Sequence, residues 1–312
     1  MWPFIFKRMG YGLIVLFGIS VFSFLLIHLI PGDPIRIMLG ENASVEQVEQ
    51  LRNQLGLNKP LWVQYGHYLG GIFHGDLGNS LKTGRPVLIE IIDRFPETVK
   101  LASAGMAIAI VVGVTIGILA ARFKDSILDF TAMSLTTFGV SVPSFWLGLI
   151  LIMVFAVHLG WFPVAGGTGL IDLVLPAITL GVLASTVISR LTRSGMIEVL
   201  SLDFIRTARA KGLGEIAVLF GHAFRNAMIP VVTIVGLQVA SLLGGTVIIE
   251  QVFNWPGLGT LAISAIASRD FPLIQGIILF IGFIFVVVNI LVDLLYSLID
   301  PRIKFDSQQE GA

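Results

Sequence analysis

Long apolar runs alternate with polar connections along most of this chain, and the runs are continuous rather than alternating residue by residue. Six of them, at about 10–30, 98–121, 130–159, 173–190, 230–250 and 273–298, approach or exceed the ~20 apolar residues that carry a helix across about 30 Å of hydrocarbon. Continuous runs predict helices, because only there are all backbone groups satisfied within the segment; a membrane barrel would show alternating segments instead. Two polar segments break the pattern. The first, 31–97, is too long for a simple connection and predicts structure of its own. Ser44 with Gln47 reads as a capping box opening a helix that ends near Gly56. Pro60 starts another, in which Leu61, Tyr65, Tyr68, Leu69 and Ile72 recur near helical spacing. The second segment, 198–230, predicts a short helix from about Phe204 to Lys211, with Asp203 accepting backbone N–H bonds at its start and Gly212 ending it. A further short helix is expected from Glu215 to about Met228, with Ile216, Phe220, Ala223 and Ala227 on one apolar face and Arg225 and Asn226 pointing elsewhere.

Small residues mark where the spans approach one another. Gly105, Ala109, Gly113, Gly117 and Ala121 recur every four residues in the second span. Ala177, Gly181, Ser185 and Ser189 do so in the fourth, and Gly236, Ala240 and Gly244 in the fifth. Such stripes admit close backbone contact and predict a packed helical core, though the same stripes also suit contact with a second subunit.

Composition fixes the class. With 55% hydrophobic and 13% charged residues, and a mean hydropathy of +0.90, the chain lacks the polar surface of a soluble protein and reads as an all-α, polytopic membrane protein. Basic residues give the orientation. Lys7 and Arg8 precede the first span, Arg122 and Lys124 follow the second, six Lys and Arg lie from Arg190 to Arg225, and Arg302 and Lys304 follow the last. The connection 160–172 has none. Positive-inside bias then places both termini and the 198–230 segment in the cytoplasm and 31–97 outside. The first span is expected to stay uncleaved, since residues 26–33 offer no small-residue cleavage pattern. The absence of cysteine removes disulfides and thiolate metal ligands, and the formal charge of zero adds nothing.

Polar groups inside the predicted spans are few, and His28, His158, Gln238, Asn289 and Asp293 are the ones worth weighing. Asn289 and Asp293 share a helical face close to Asp300 and Pro301 and suit a structural bond near the interface. The histidines sit near span ends. Gln238 is the better pathway candidate, because the fifth span also carries Ser241 and the pair Gly244 and Gly245. His67 and His74, seven apart, form a weak metal signal without a third ligand, and Trp255, Pro256 and Gly257 predict a tight turn, structural or in contact with cargo. Catalytic motifs are missing. No G-x-x-x-x-G-K-[ST], H-E-x-x-H or G-x-S-x-G occurs, so neither ATP hydrolysis nor intramembrane proteolysis is expected of this chain. The polar 198–230 segment reads as a solvated basic loop or a docking element; a DNA-reading helix-turn-helix is disfavoured because spans pin both its ends.

The wording of that segment, RTARAKG at 206–212 followed by HAFRNAMIPVVT at 222–233, resembles the coupling loop of binding-protein-dependent ABC import permeases, in the dipeptide, oligopeptide, nickel and glutathione branch. PGDP at 31–34, the stretch from 55 to 65, HGDLGNSLKTGRPV at 74–87 and NWPGLG at 254–259 are similar to the same branch. The likeness runs from IFKRMGYGL at 5–13 to LVDLLYSLIDPRI at 291–303. It implies a type I ABC importer permease fold of six transmembrane helices. By this resemblance 1–30 holds the N-terminus and first span, 31–97 the external segment, 98–300 the permease core with the 198–230 loop, and 301–312 a cytoplasmic tail. Docking to an ATP-binding subunit falls to Asp203, Phe204, Ile205, Arg206, Thr207, Ala208, Arg209, Ala210, Lys211, Gly212 and Leu213, with Gly212 turning the chain back. The broader family's loop begins Glu-Ala-Ala, whereas Arg206 to Ala208 keeps one alanine and no acidic residue. Implied partners are a homologous second permease, two ATP-binding subunits that hold ATP and Mg, an extracytoplasmic solute-binding protein and membrane lipid. The implied cargo is a di- or oligopeptide, with a nickel complex or glutathione as alternatives. A self-powered secondary transporter is the alternative of another class, weakened by the lack of a half-to-half repeat.

Overall fold

The computed structural model describes residues 2–29, 35–36, 43–54 and 56–299. The PGDP motif at 31–34 and the tail from 300 onward lie outside the described residues, as does the side chain of His28. Among the described residues the regular structure is helical: α1 Trp2–Leu29, α2 Val45–Gln54, α3 Leu61–Phe73, α4 Val87–Arg122, α5 Ile127–Ser141, α6 Ser144–Leu151, α7 Leu170–Leu200, α8 Asp203–Ala210, α9 Phe224–Phe253, α10 Leu258–Ala267 and α11 Phe271–Ile299. Wide π-helical turns at Ile152–His158 and Ala217–Ala223 extend α6 and precede α9. Among the described residues five helices are long and apolar enough to cross a membrane, and the bent pair α5 and α6 brings the number to six when it is counted as one broken span.

That sixth span is not the continuous helix expected over 130–159, because its halves diverge by 105°. The cause is Pro143. It lacks an N–H and forces the preceding Val142 out of the helical region, to φ −85° and ψ 123°. The second span also starts earlier than expected, since α4 takes in residues 87–97 and runs through Pro96.

The chain forms two compact units. One comprises residues 1–96 and 257–290. The predicted capping box opens α2 there: Gln47 N–H donates to Ser44 Oγ at 3.2 Å and Ser44 N–H to Gln47 Oε1 at 3.0 Å. Val87 and Ile91 pack with Leu258, Ala265, Leu273 and Ile277, and Phe95 meets Phe280 edge to face. Asp270, almost wholly buried, accepts from Leu273 N–H in the first turn of α11 and from Ser80 Oγ and Lys82 N–H of the 76–86 loop. Ser23 and Gln275 form a reciprocal pair inside the apolar part of this unit: the Gln275 amide donates to Ser23 O at 2.9 Å and Ser23 Oγ donates to Gln275 O at 3.2 Å.

The other unit comprises 97–256 and 291–312. Its centre is the predicted small-residue seam, which joins α4 to α7. A Cβ added at Gly117 would stand 2.5 Å from Thr192 Cβ and 2.7 Å from the Ser189 carbonyl oxygen; at Gly113 it would stand 2.8 Å from Ile188 Cβ, and at Gly181 2.6 Å from Ile108 Cβ. These helices touch backbone to backbone, which only glycine permits. Gly236 of the fifth-span stripe meets Val292, whereas Gly244 faces open space.

Candidate functional site

Between α7 and α9 the chain leaves the apolar spans for one short helix. α8 begins one residue earlier than expected. Leu202 is its N-cap and offers no side-chain hydrogen bond. Asp203 is therefore the first helical residue rather than the cap: fully exposed, it pairs with Arg206 at 3.6 Å and favours the positive helix end as a first-turn carboxylate. The far end matches the expectation for Gly212. Its φ of +83° is left-handed, its N–H donates to Arg209 O, and Leu213 N–H donates to Ala208 O, closing a Schellman motif. Arg209 then clasps Glu215, with Nε to Oε1 at 2.8 Å and the terminal nitrogen to Oε2 at 3.3 Å. The Arg209 guanidinium holds the Glu215 carboxyl below the usual carboxylate range.

α8 has two faces. Ile205 and Ala208, three apart, are buried against Ile118 and Ala121 of α4, Met196 and Val199 of α7, and Val218, Leu219, Ala223 and Ala227. The other face exposes Phe204, Arg206, Thr207, Arg209, Ala210 and Lys211, flanked by exposed Leu202 and Leu213. A helix of eight residues cannot hold itself together in water, so this seat on the span ends gives α8 its rigidity. The expected second short helix is instead continuous with the fifth span, through the π-turn, α9 and Pro230. Its expected face is also corrected. Ile216 and Phe220 are exposed, while Val218 and Leu219 are buried with Ala223 and Ala227. The π-turn adds a residue per turn and rotates the apolar face away from α-helical spacing.

The pathway candidates lie on α9. Ser241 and Gly244 are exposed and share a stripe with exposed Leu237 and Ile248, at helical spacing; Gln238 is half-buried beside them, and Gly245 is helical backbone. The histidine pair does not assemble. His67 Nε2 faces Lys59 Nζ at 3.4 Å, His74 Nδ1 bonds Gly70 O at 2.8 Å, and the described residues contain no group of three or more His, Cys, Asp or Glu poised for a metal. Asn289 bonds the Phe285 carbonyl of its own helix. Trp255 is buried, donating Nε1–H to Glu97 O at 2.9 Å just after a left-handed Asn254 that ends α9.

Sequence reasoning missed a two-pronged ion pair between helices. Arg193 of α7 grips Asp129 of α5 with two bonds of 2.6 Å, and the Asp129 side chain is 5% exposed. The expected spans ended at 190 and began at 130, so both residues fell in assumed loops; continuation of α7 to Leu200 places the pair inside. Thr98 and Glu250, both buried and bonded at 2.7 Å, were also unforeseen.

The described residues form a polytopic helical protein in which one short amphipathic helix is seated on the ends of α4, α7 and α9. The chain belongs to the binding-protein-dependent transport system inner membrane component family, which matches residues 113–305, and the N-terminal module of binding-protein-dependent transport membrane components matches residues 1–102. It is thus an ABC importer permease of the type I fold. A Brucella abortus protein provisionally named a peptide transport system permease is 46% identical across 97% of this chain and 99% of its own. The dipeptide transport system permease DppB of Escherichia coli K12 is 44% identical across 97% and 99%, and the glutathione transport system permease GsiC of Escherichia coli O6:H1 45% identical across 94% and 96%. Among solved structures, an inward-facing MetNI methionine ABC transporter superposes with a TM-score of 0.58 at 16% identity, covering 68% of this chain and 96% of that one. An amino acid ABC transporter crystallised with histidines gives 0.54 at 17% identity, covering 67% and 93%.

Proposed function

We propose that this permease imports short peptides, with residues 203–213 passing the motion of an ATP-binding subunit to the spans. The observation that carries the mechanical part is the two-faced α8: Ile205 and Ala208 are locked among the ends of α4, α7 and α9, while Phe204, Arg206, Arg209 and Lys211 are exposed on the face offered to a partner's groove. A push on the exposed face reaches three spans at once. The partners are a homologous second permease, two ATP-binding subunits holding ATP and Mg, and an extracytoplasmic solute-binding protein. Basic residues near the start of α1, at the end of α4 and between α7 and α9 support cytoplasmic termini and a cytoplasmic α8. ATP binding closes the nucleotide subunits and turns the spans from inward to outward facing; hydrolysis resets them. The open Leu237, Ser241, Gly244 and Ile248 stripe, with Gln238 and Gly245 beside it, is the lining proposed for the pathway.

Peptide cargo rests on the names of the peptide and dipeptide permeases that this chain resembles; the glutathione permease, similar to the same degree, supports the γ-glutamyl peptide as the second reading. The test is reconstitution in vesicles of the complete transporter, with its binding protein, and uptake of labelled dipeptide against labelled glutathione. ATP-dependent dipeptide uptake that a Gly pair at Thr207 and Ala210 abolishes, while ATP hydrolysis persists, is the expected result. Normal coupled uptake by that double variant would remove α8 from the mechanism, and uptake of neither solute would remove the cargo.

A further inference from the structure

We propose that α3 lies within a bilayer leaflet and that its Trp62 to Phe73 stripe is a lipid-contacting surface, not part of an aqueous platform. The apolar window of α1 runs from Phe6 to Leu26. α3 is bound to its C-terminal half: Tyr65 Oη pairs with Ser20 Oγ at 2.9 Å, Tyr68 Oη donates to Ser23 Oγ at 3.1 Å, and both rings pack on Phe24. Tyr65 also meets Phe17 edge to face, with centroids 6.4 Å apart. At 1.5 Å per residue, Ser23, Ser20 and Phe17 lie about 4.5, 9 and 13.5 Å inboard of Leu26, against a half-thickness of about 15 Å. Helical side chains lean toward the N-terminus of their helix, so the Phe17 ring is deeper still. The Tyr65 ring centre lies 6.4 Å from that of Phe17 and about 4 Å from its own Cα, together less than the drop to Phe17, so the α3 backbone at Tyr65 sits below the level of Leu26.

The sides of α3 agree with that depth. Trp62, Gly66, Leu69 and Phe73 follow at helical spacing, and Trp62 and Phe73 are 78% and 85% exposed. Polar groups turn the other way: Gln64 donates to the Leu57 and Lys59 carbonyls, and His67 faces Lys59. α1 likewise exposes Leu13, Ile14, Phe17 and Phe22, side chains that a spanning helix presents to hydrocarbon. Hydrocarbon and the headgroup boundary are the occupant that matches a tryptophan and a phenylalanine at this level. The surface left to a solute-binding protein from this segment then contracts to α2 and the 74–86 loop.

The chain lacks cysteine, so single cysteines report directly. Spin labels at Trp62→Cys and Phe73→Cys, in the assembled transporter with partner cysteines replaced and held in phospholipid vesicles, are read by power saturation with oxygen and with water-soluble nickel ethylenediaminediacetate. Ile14→Cys on α1 and Glu46→Cys on α2 serve as lipid and water references. Oxygen collisions exceeding nickel collisions several-fold at both sites, as at Ile14→Cys, are expected. The reverse order, as at Glu46→Cys, would place α3 in water and overturn the proposal; shielding from both reagents would replace lipid by a protein partner and overturn it equally.

Discussion

Removing Arg193 while leaving Asp129 tests whether the α5 to α7 bond secures the helix that leads into α8. In Arg193→Met the Asp129 carboxylate, 5% exposed, loses both 2.6 Å bonds and keeps the Asp125 N–H at 3.0 Å. Stranding one member of a buried pair costs about 3–5 kcal/mol, or roughly two to four powers of ten in the folding equilibrium. Arg193→Lys should fall between, because an ammonium cannot reproduce the two-pronged contact. The double variant Asp129→Leu with Arg193→Met removes both charges and should recover most of the loss, since apolar replacement of a buried pair is often neutral. The assay is the fraction of each purified variant that stays monodisperse after graded heating in mild detergent, paired with its level in membranes. If Arg193→Met matches the parent, or the double variant is as damaged as the single, the pair is not the anchor that its geometry indicates.

Three further outcomes follow from other contacts. Gly117→Ala drives a Cβ to 2.7 Å from the Ser189 carbonyl and should cost about 1–3 kcal/mol in the same heating assay, while Gly18→Ala, with open space around it, should not destabilise; equal behaviour would refute the α4 to α7 seam. Gly212→Val forces a β-branched residue to φ +83°, at a cost of about 1–2 kcal/mol, and should speed hydrogen exchange at residues 209–213 without changing that of α4; unchanged exchange would deny the Schellman closure a role. The Arg209 clasp depresses the Glu215 pKa, so its contribution is fully present above the ordinary glutamate range, ~4.3, and is lost as pH falls through the lowered value. Proteolysis within 209–216 should rise only below that range, and Glu215→Gln should flatten the profile; a transition near neutral pH would contradict the assignment.

Much of this protein was legible along the chain because a bilayer restricts the choices. Continuous apolar runs must become helices, so the membrane class and five of the spans could be read from hydropathy alone. Local chemistry was equally direct at Ser44 with Gln47, whose capping box depends on residues three apart, and at Gly212, whose left-handed φ needs only a missing Cβ. The small-residue stripes announced a close contact, but not that α4 and α7 would be the helices to share it. What needed the tertiary structure were the features set by long-range partners. Asp129 and Arg193 are 64 residues apart and lay just beyond the assumed span ends, so nothing local marked them as a pair. Helical spacing misassigned Ile216 and Phe220 because a π-turn changes the period. Phe204 and Ile205 are adjacent in sequence, and packing against α4, α7 and α9 decided which of them is locked inside and which is left for a partner. The sequence by itself thus determined which segments are apolar enough to span the membrane, since that follows from each segment's own transfer free energy; only the folded chain decided which polar groups meet and which faces stay open, since those depend on neighbours far away in the chain.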